Sequence, residues 1–165
     1  INVDPTAKEL AKIAQMTSET VKMFGVKPVM AMLSFNNFGS SSFPQARKVS
    51  DAVAFLHRFY PDLLVDGPIQ SDFALNSEML KERFPFSVLN KEKVNTLIFP
   101  NLDAANITYK LMKELDKSLS IGPILMGLKY PAHILQLGAS VEEIVNMAAI
   151  ASINAQEKQK QKSTK

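Results

Sequence analysis

No cysteine occurs among the 165 residues, which excludes disulfides, a thiol nucleophile and sulfur-ligated zinc. No apolar run reaches the roughly 18 residues of a membrane-spanning helix, and no signal-like start is present. The expectation is a soluble, cytoplasmic protein with no membrane partner. Net charge is also lacking outside the terminus. The net charge is +3, yet residues 156–165 hold four lysines against one glutamate, leaving 15 basic and 15 acidic residues before them. That basic terminus contains no aromatic, no arginine and no groove-entering motif, so it reads as a solvated, disordered tail over residues 157–165 and not as a nucleic-acid contact. Internal repeats are absent, and Ile1 in place of methionine suggests a piece of something longer.

What is present is an ordinary globular composition, 46% hydrophobic and 21% charged, enough for one domain with its own core. Asp4-Pro5 predicts a helix start, and Leu10, Ile13, Ala14, Thr17, Val21 and Phe24 follow helical spacing until Gly25 stops them. Val29 to Ser34 reads as a buried strand. A loop from Phe35 to Phe43 leads to a helix opening at Pro44, with Val49, Val53, Leu56 and Tyr60 on one face. Leu63 to Asp66 predicts a second strand, Ser71 to Phe84 short helical pieces, and Val94 to Phe99 a third strand. Asn101 is the expected N-cap of the next helix, with Leu102, Ala105, Tyr109, Met112 and Leu115 as its inner face. Ile121 to Leu128 reads as a fourth strand, and Ser140 opens a last helix to about Gln156.

Alternating strands and helices imply a three-layer α/β/α architecture on a mainly parallel sheet. Ligands of such sheets bind beyond the carboxyl ends of the strands. That edge collects Asn36, Asn37, Gly39 and Ser40 after the first strand, Asp66 and Gly67 after the second, and Asn101 and Asp103 after the third. The loop Phe35 to Ser42 precedes a helix N-terminus, where backbone N–H groups favour phosphate. It carries no Lys or Arg and matches no nucleotide-binding fingerprint, so by spacing alone it is more simply a turn. Asp66, Asp72 and Asp103 would make a divalent-cation site only if the fold gathered them; loop and capping roles explain them as well, and no metal site is expected. His57 and His133 lack a second ligand at metal spacing. Ser140-Val141-Glu142-Glu143 fits a capping box, and the helix behind it is apolar on nearly every side, which calls for burial on more than one face.

Three stretches carry a family likeness. They are Met32-Leu33-Ser34-Phe35-Asn36-Asn37-Phe38-Gly39-Ser40, then Pro100-Asn101-Leu102-Asp103-Ala104-Ala105-Asn106-Ile107, then Gly122-Pro123-Ile124-Leu125-Met126-Gly127 with Pro131-Ala132-His133-Ile134-Leu135 and Ile144-Val145-Asn146-Met147. Together, in order from Asn2 to about Gln156, they resemble the phosphate acetyl/butyryltransferase, or phosphotransacetylase, family. Their particular forms are most similar to the C-terminal phosphotransacetylase-like domain of multidomain NADP-dependent malic enzymes. Active transferases of the family tend to have a Lys in the first loop, Gly where Ala105 stands, and a Ser-Arg pair after the fourth strand, and this chain has none of them.

The resemblance implies that residues 1–139 are the second subdomain of a phosphotransacetylase-like domain. Residues 140–156 would be a closing helix that packs on the first subdomain or on a partner chain. It places Gln136 where the catalytic serine would stand and Leu137 where its arginine would stand. Glu143 falls at an aspartate thought to act on the thiol of coenzyme A, and Glu114 at a second active-site arginine, where a glutamate would repel an acyl-phosphate transition state. With those four positions degenerate, Ser34, Asn36, Asn37, Gly39, Ser40, Asn101, Asp103, Gly127 and His133 remain as ligand-binding candidates. The implied role is a non-catalytic regulatory and oligomerisation module with room for an acetyl-CoA allosteric site, in a cleft that Glu114 would leave without a cation. The implied parent oxidatively decarboxylates malate to pyruvate with NADP and Mg2+ or Mn2+, its catalytic groups lying upstream. Partners would be that upstream portion, the first subdomain and further copies of the chain. The alternative is a divergent transferase moving an acyl group between coenzyme A and phosphate.

Overall fold

A computed structural model describes residues 2–116 and 121–163. Its centre is β1 (Val29–Leu33), a run of five buried apolar residues. Such a strand has no polar face, so both of its sides must be covered. Met30 and Met32 point to one side, where they meet Leu10, Ala11 and Ala14 of α1 (Ala7–Met23) and Val49, Ala52, Val53 and Leu56 of α2 (Pro44–Phe59). Val29, Ala31 and Leu33 point to the other, against Ala74 of α3 (Ser71–Leu75), Leu80 of α4 (Ser77–Arg83) and Leu89 of a 3-10 turn, Val88–Lys91. The three layers follow from that alternation. Each fully buried Leu or Met adds about 2 kcal/mol relative to an exposed one.

β1 is flanked by β2 (Leu64–Ile69) and β3 (Thr96–Ile98), in the order β2-β1-β3 and all parallel. Val29 lies opposite Leu64 and Ala31 opposite Asp66, with a register shift before Leu33 meets Ile69; Met30 lies opposite Thr96 and Met32 opposite Ile98. The shift coincides with Gly67 at φ 142. A Cβ there would lie 2.5 Å from the Met32 carbonyl oxygen, so only glycine lets the two strands approach. α5 (Leu102–Asp116) and α6 (Val141–Ser163) complete the described elements. No helix among the described residues is long and apolar enough to cross a membrane.

Four local expectations change. The first helix is capped by Thr6, whose hydroxyl accepts from Glu9 N while the Glu9 carboxylate takes Thr6 N at 2.8 Å; Asp4 instead pairs with Lys48. Ile121 to Leu128 forms no strand, since Pro123 has no N–H for a ladder and Gly122 and Gly127 sit at positive φ. α5 buries none of its expected inner face: Leu102 and Met112 are exposed and Leu115 is 76% exposed. α6 continues past Gln156 to Ser163, so the expected tail is helical that far, because its Gln, Glu and Lys residues favour helix and no Gly or Pro stops them. Lys165, the last residue of that tail, lies outside the described residues.

Candidate functional site

At the carboxyl edge of the sheet the loop after β1 is fixed by side-chain amides. Asn37 Nδ2 donates to Gln70 Oε1 at 2.5 Å, and Asn37 Oδ1 accepts from Gln70 N at 2.8 Å. Gln70 Nε2 in turn donates to the Phe35 carbonyl at 2.9 Å. Ser40 Oγ accepts from Asn37 N at 3.2 Å, and Gly39 at φ 85 completes the turn. Asn37, Gly39 and Ser40 are therefore engaged in building the loop. Asn36 differs: it is 4% exposed, its Oδ1 accepts from Ser34 Oγ at 2.7 Å, and its Nδ2 is buried without a hydrogen-bond partner.

Ser34 opens onto a cleft of about 1090 Å³ between the ends of β1 and β3 and the inner side of α5. Its walls are mainly apolar, with Leu33, Phe35, Leu97, Phe99 and Met112 among them, and its polar points include Asn101 and the ion pair of Lys48 with Asp4. Asn101 Oδ1 caps α5 by accepting from Ala104 N at 2.9 Å. Asp103 is exposed in the first turn of that helix. The carboxylates do not gather: Asp66 spends Oδ1 on Gly67 N and Oδ2 on Ser87 Oγ and Val88 N. Among the described residues no three His, Asp or Glu come together as a metal site would require. His57 is structural, with Nε2 2.7 Å from the Val65 carbonyl.

Gln136, Leu137 and Glu143, three of the four positions that the resemblance sets at the family's catalytic groups, meet in a separate cleft of about 150 Å³ that Gly138, Met147 and Lys113 also line, among others. Glu143 closes the capping box of α6: its Oε2 accepts from Ser140 N at 2.8 Å, and its own N–H donates to Ser140 Oγ at 3.2 Å. Its Oε1 lies 3.3 Å from Lys113 Nζ. The Ser140 N–H first, and then Lys113, hold its pKa below the ordinary 4.5. Lys110 Nζ reaches Gln136 Oε1 at 3.5 Å. Glu114 is exposed and does not line the cleft. The expectation that Glu114 leaves the site without a cation is thus overturned by its neighbour Lys113, which the helix turns toward Glu143.

Sequence reasoning passed over both lysines. Their spacing of three on α5 was visible, but their partners lie 26 and 30 residues away and only the fold brings them near. Gly127 and His133 lie apart from both clefts. Gly127, at φ 78, lines a third cleft of about 560 Å³ between α1 and α6, and a Cβ there would meet Met16 Sδ at 3.0 Å. His133 Nδ1 accepts from Leu125 N at 3.3 Å, while its Nε2 is buried without a hydrogen-bond partner.

Comparison with known proteins places this arrangement. A family model described as Phosphate acetyl/butaryl transferase matches residues 1–152. A NADP-dependent malic enzyme of Haemophilus influenzae is 42% identical over 157 residues, which are 95% of this chain and 21% of that protein. A phosphate acetyltransferase of Clostridium acetobutylicum is also 42% identical over 157 residues, 94% of this chain and 47% of that protein. Among solved structures, a phosphotransacetylase from Streptococcus pyogenes superposes with a TM-score of 0.89 at 43% identity, covering 95% of this chain and 47% of that one. The chain thus spans about a fifth of the malic enzyme and about half of either transferase.

Proposed function

The chain belongs to the phosphate acetyl/butaryl transferase family, and from that premise we propose that it is a regulatory and assembly module of a malic enzyme that has given up acyl transfer. The observation that carries this reading is the make-up of the small cleft. Among the described residues its lining supplies no hydroxyl, thiol or imidazole, and it includes Gln136 and Leu137, which the resemblance sets at the places of the family's Ser-Arg pair. Glu143, at the position of the family's aspartate, is held by Ser140 N and Lys113. A carboxylate with a lowered pKa is a poor base for a thiol whose ordinary pKa is near 8.5.

An acetyl-CoA effector fits the remaining features. The 1090 Å³ cleft offers apolar wall for an acyl-pantetheine arm, and α5 carries Thr108 and Met112 into that cleft and Lys113 into the smaller one. Bound there, acetyl-CoA would supply an acyl thioester and phosphate charge. Malate oxidation, NADP and Mg2+ or Mn2+ would belong to the upstream portion, and the chain's 21% share of the malic enzyme is consistent with that division. The competing reading, a divergent acyltransferase, is favoured by the equal 42% identity to the clostridial phosphate acetyltransferase.

Assaying the full-length protein separates the two. We expect malate-dependent NADP reduction that responds to acetyl-CoA, and no acetyl phosphate from acetyl-CoA and phosphate. Sustained acetyl phosphate formation would overturn the proposal in favour of the transferase.

A further inference from the structure

We infer that the cleft between α1 and α6 is a docking trough for a short apolar peptide segment with acidic residues at both ends, presented by a partner protein. At about 560 Å³ the cleft has the size of a ligand site, and it lies apart from the other two. Lys12, Met16, Glu19, Thr20 and Met23 recur along α1 at three- and four-residue spacing and so form one stripe, with Lys22 beside its far end. Leu125 to Leu128 make a second wall, and Asn154, Glu157 and Lys158 of α6 a third. The loop is held from both sides: a Cβ on Gly127 would meet Met16 Sδ at 3.0 Å, and Lys158 Nζ donates to the Leu128 carbonyl. The trough is thus formed by the chain itself before any partner binds.

Charge and hydrogen bonding together choose the occupant. Glu157 is neutralised by Lys160 at 2.7 Å. Lys12, Lys22, Lys158 and Glu19 enter no ion pair among the described residues, so three ammonium groups stand against one carboxylate. Lys12 donates to Gln15 Oε1 at 2.7 Å while Gln15 Nε2 donates to Glu19, and this neutral amide cancels neither charge. Lys12 and Lys22 are separated by about 15 Å along the helix axis, roughly four to five residues of extended chain. Between them, Met16, Met23 and Met126 offer flexible thioethers, which repack around varied apolar side chains. A peptide also brings backbone N–H and C=O groups that need partners. Asn154 can supply them: half-buried on the α6 wall, its side-chain amide has two donors and an acceptor and makes no hydrogen bond among the described residues. A simple acid with one head group would leave the second cation and that amide unused.

The test is calorimetric titration of the full-length protein with the end-blocked peptide Asp-Leu-Met-Leu-Glu and its charge-reversed counterpart Lys-Leu-Met-Leu-Lys, repeated in the Lys12→Glu/Lys22→Glu variant. Both lysines are exposed, so the variant should keep the wild-type melting temperature. The acidic peptide should bind wild type and lose at least about tenfold in affinity in the variant, while the basic peptide, weak on wild type, should gain there. Lysines kept only for the helix or its solubility would not give that exchange of preference. Added salt should weaken the acidic peptide on wild type, and Asn154→Ala should weaken it by about threefold or more with the salt dependence unchanged. The response to acetyl-CoA should be the same in every variant, so failure here leaves the function proposed above standing. No binding of the acidic peptide, or equal affinity in wild type and the lysine variant, overturns the trough. So does lysine-dependent binding of decanoate without the peptide, which would make it a small-acid site, or self-association of wild type that the variant abolishes, which would give it to a second copy.

Discussion

The carboxylate of Asp66, at the middle of β2, accepts a hydrogen bond from Ser87 Oγ at 2.8 Å and so ties the strand to the turn that covers the sheet. Val88 N at 3.1 Å shares the same oxygen, and Gly67 N takes the other at 3.0 Å. Asp66 is buried, so removing it strands three donors away from water. We expect Asp66→Ala to cost about 3 kcal/mol in urea unfolding. A loss below about 1 kcal/mol would show that water replaces the carboxylate easily. Magnesium or calcium should leave the wild-type melting temperature unchanged, because Asp66 has no oxygen to spare.

A second prediction concerns Gly67. Alanine at φ 142 is strained on its own, and its Cβ would sit 2.5 Å from the Met32 carbonyl oxygen in the neighbouring strand. Backbone cannot give way as a flexible side chain can. Gly67→Ala should therefore cost at least about 2 kcal/mol, measured by thermal or urea unfolding. Gly39→Ala makes the control, since φ 85 strains it but nothing lies within 4 Å of the added atom. Equal losses in the two variants would mean that the strand approach contributes nothing.

The elements built on strong periodicity were legible. The apolar run Val29 to Leu33, the pattern of α2 and the capping box at Ser140 each have one favourable solution in a folded chain. The failures share a cause. The α5 face and the run Ile121 to Leu128 are apolar enough to predict burial, yet periodicity does not say which surface covers them, and among the described residues Ala105, Tyr109, Ile124, Leu125 and Met126 reach only half-burial. At the site, Gln136, Leu137 and Glu143 line one cleft, as residues so close in the chain readily do. The contacts of Lys110 and Lys113 to Gln136 and Glu143 span 26 and 30 residues, so the sequence does not display them, and a position along α5 does not tell which way its side chain turns, as Lys113 and Glu114 show.

The α6 cap should show itself in pH. Glu143 has a folded pKa below its unfolded 4.5, held there mainly by the Ser140 N–H and then by Lys113. A depressed carboxylate stabilises the folded state above the unfolded value, and that contribution is lost as pH falls through the folded value. Wild type should melt above Glu143→Gln at neutral pH, and the gap should close as pH drops below about 4.5. Glu9 in the α1 capping box is shifted in the same direction by Thr6, so Glu9→Gln should behave alike. A gap independent of pH would show that the carboxylate's charge plays no part.

The last prediction concerns assembly. Leu115 is 76% and Leu137 fully exposed, and Ile107, Leu111, Val141 and Val145 are exposed with them along α5 and the start of α6. Covering one such side chain is worth about 2 kcal/mol, so several together supply a strong drive toward a second surface. This chain spans 47% of the Streptococcus pyogenes structure, so the longer relatives have further chain of their own to offer as that surface. The chain alone would take a second copy of itself. We expect the 165-residue chain to self-associate at micromolar concentration by light scattering, and Leu115→Lys/Val145→Lys to return it to a monomer without loss of melting temperature. Ile150→Lys is the contrast: that side chain is buried in the described chain, so the substitution should cost about 3 kcal/mol of folding stability. A wild-type chain that stays monomeric, with Ile150→Lys as stable as wild type, would mean that neither face of α6 is buried by anything.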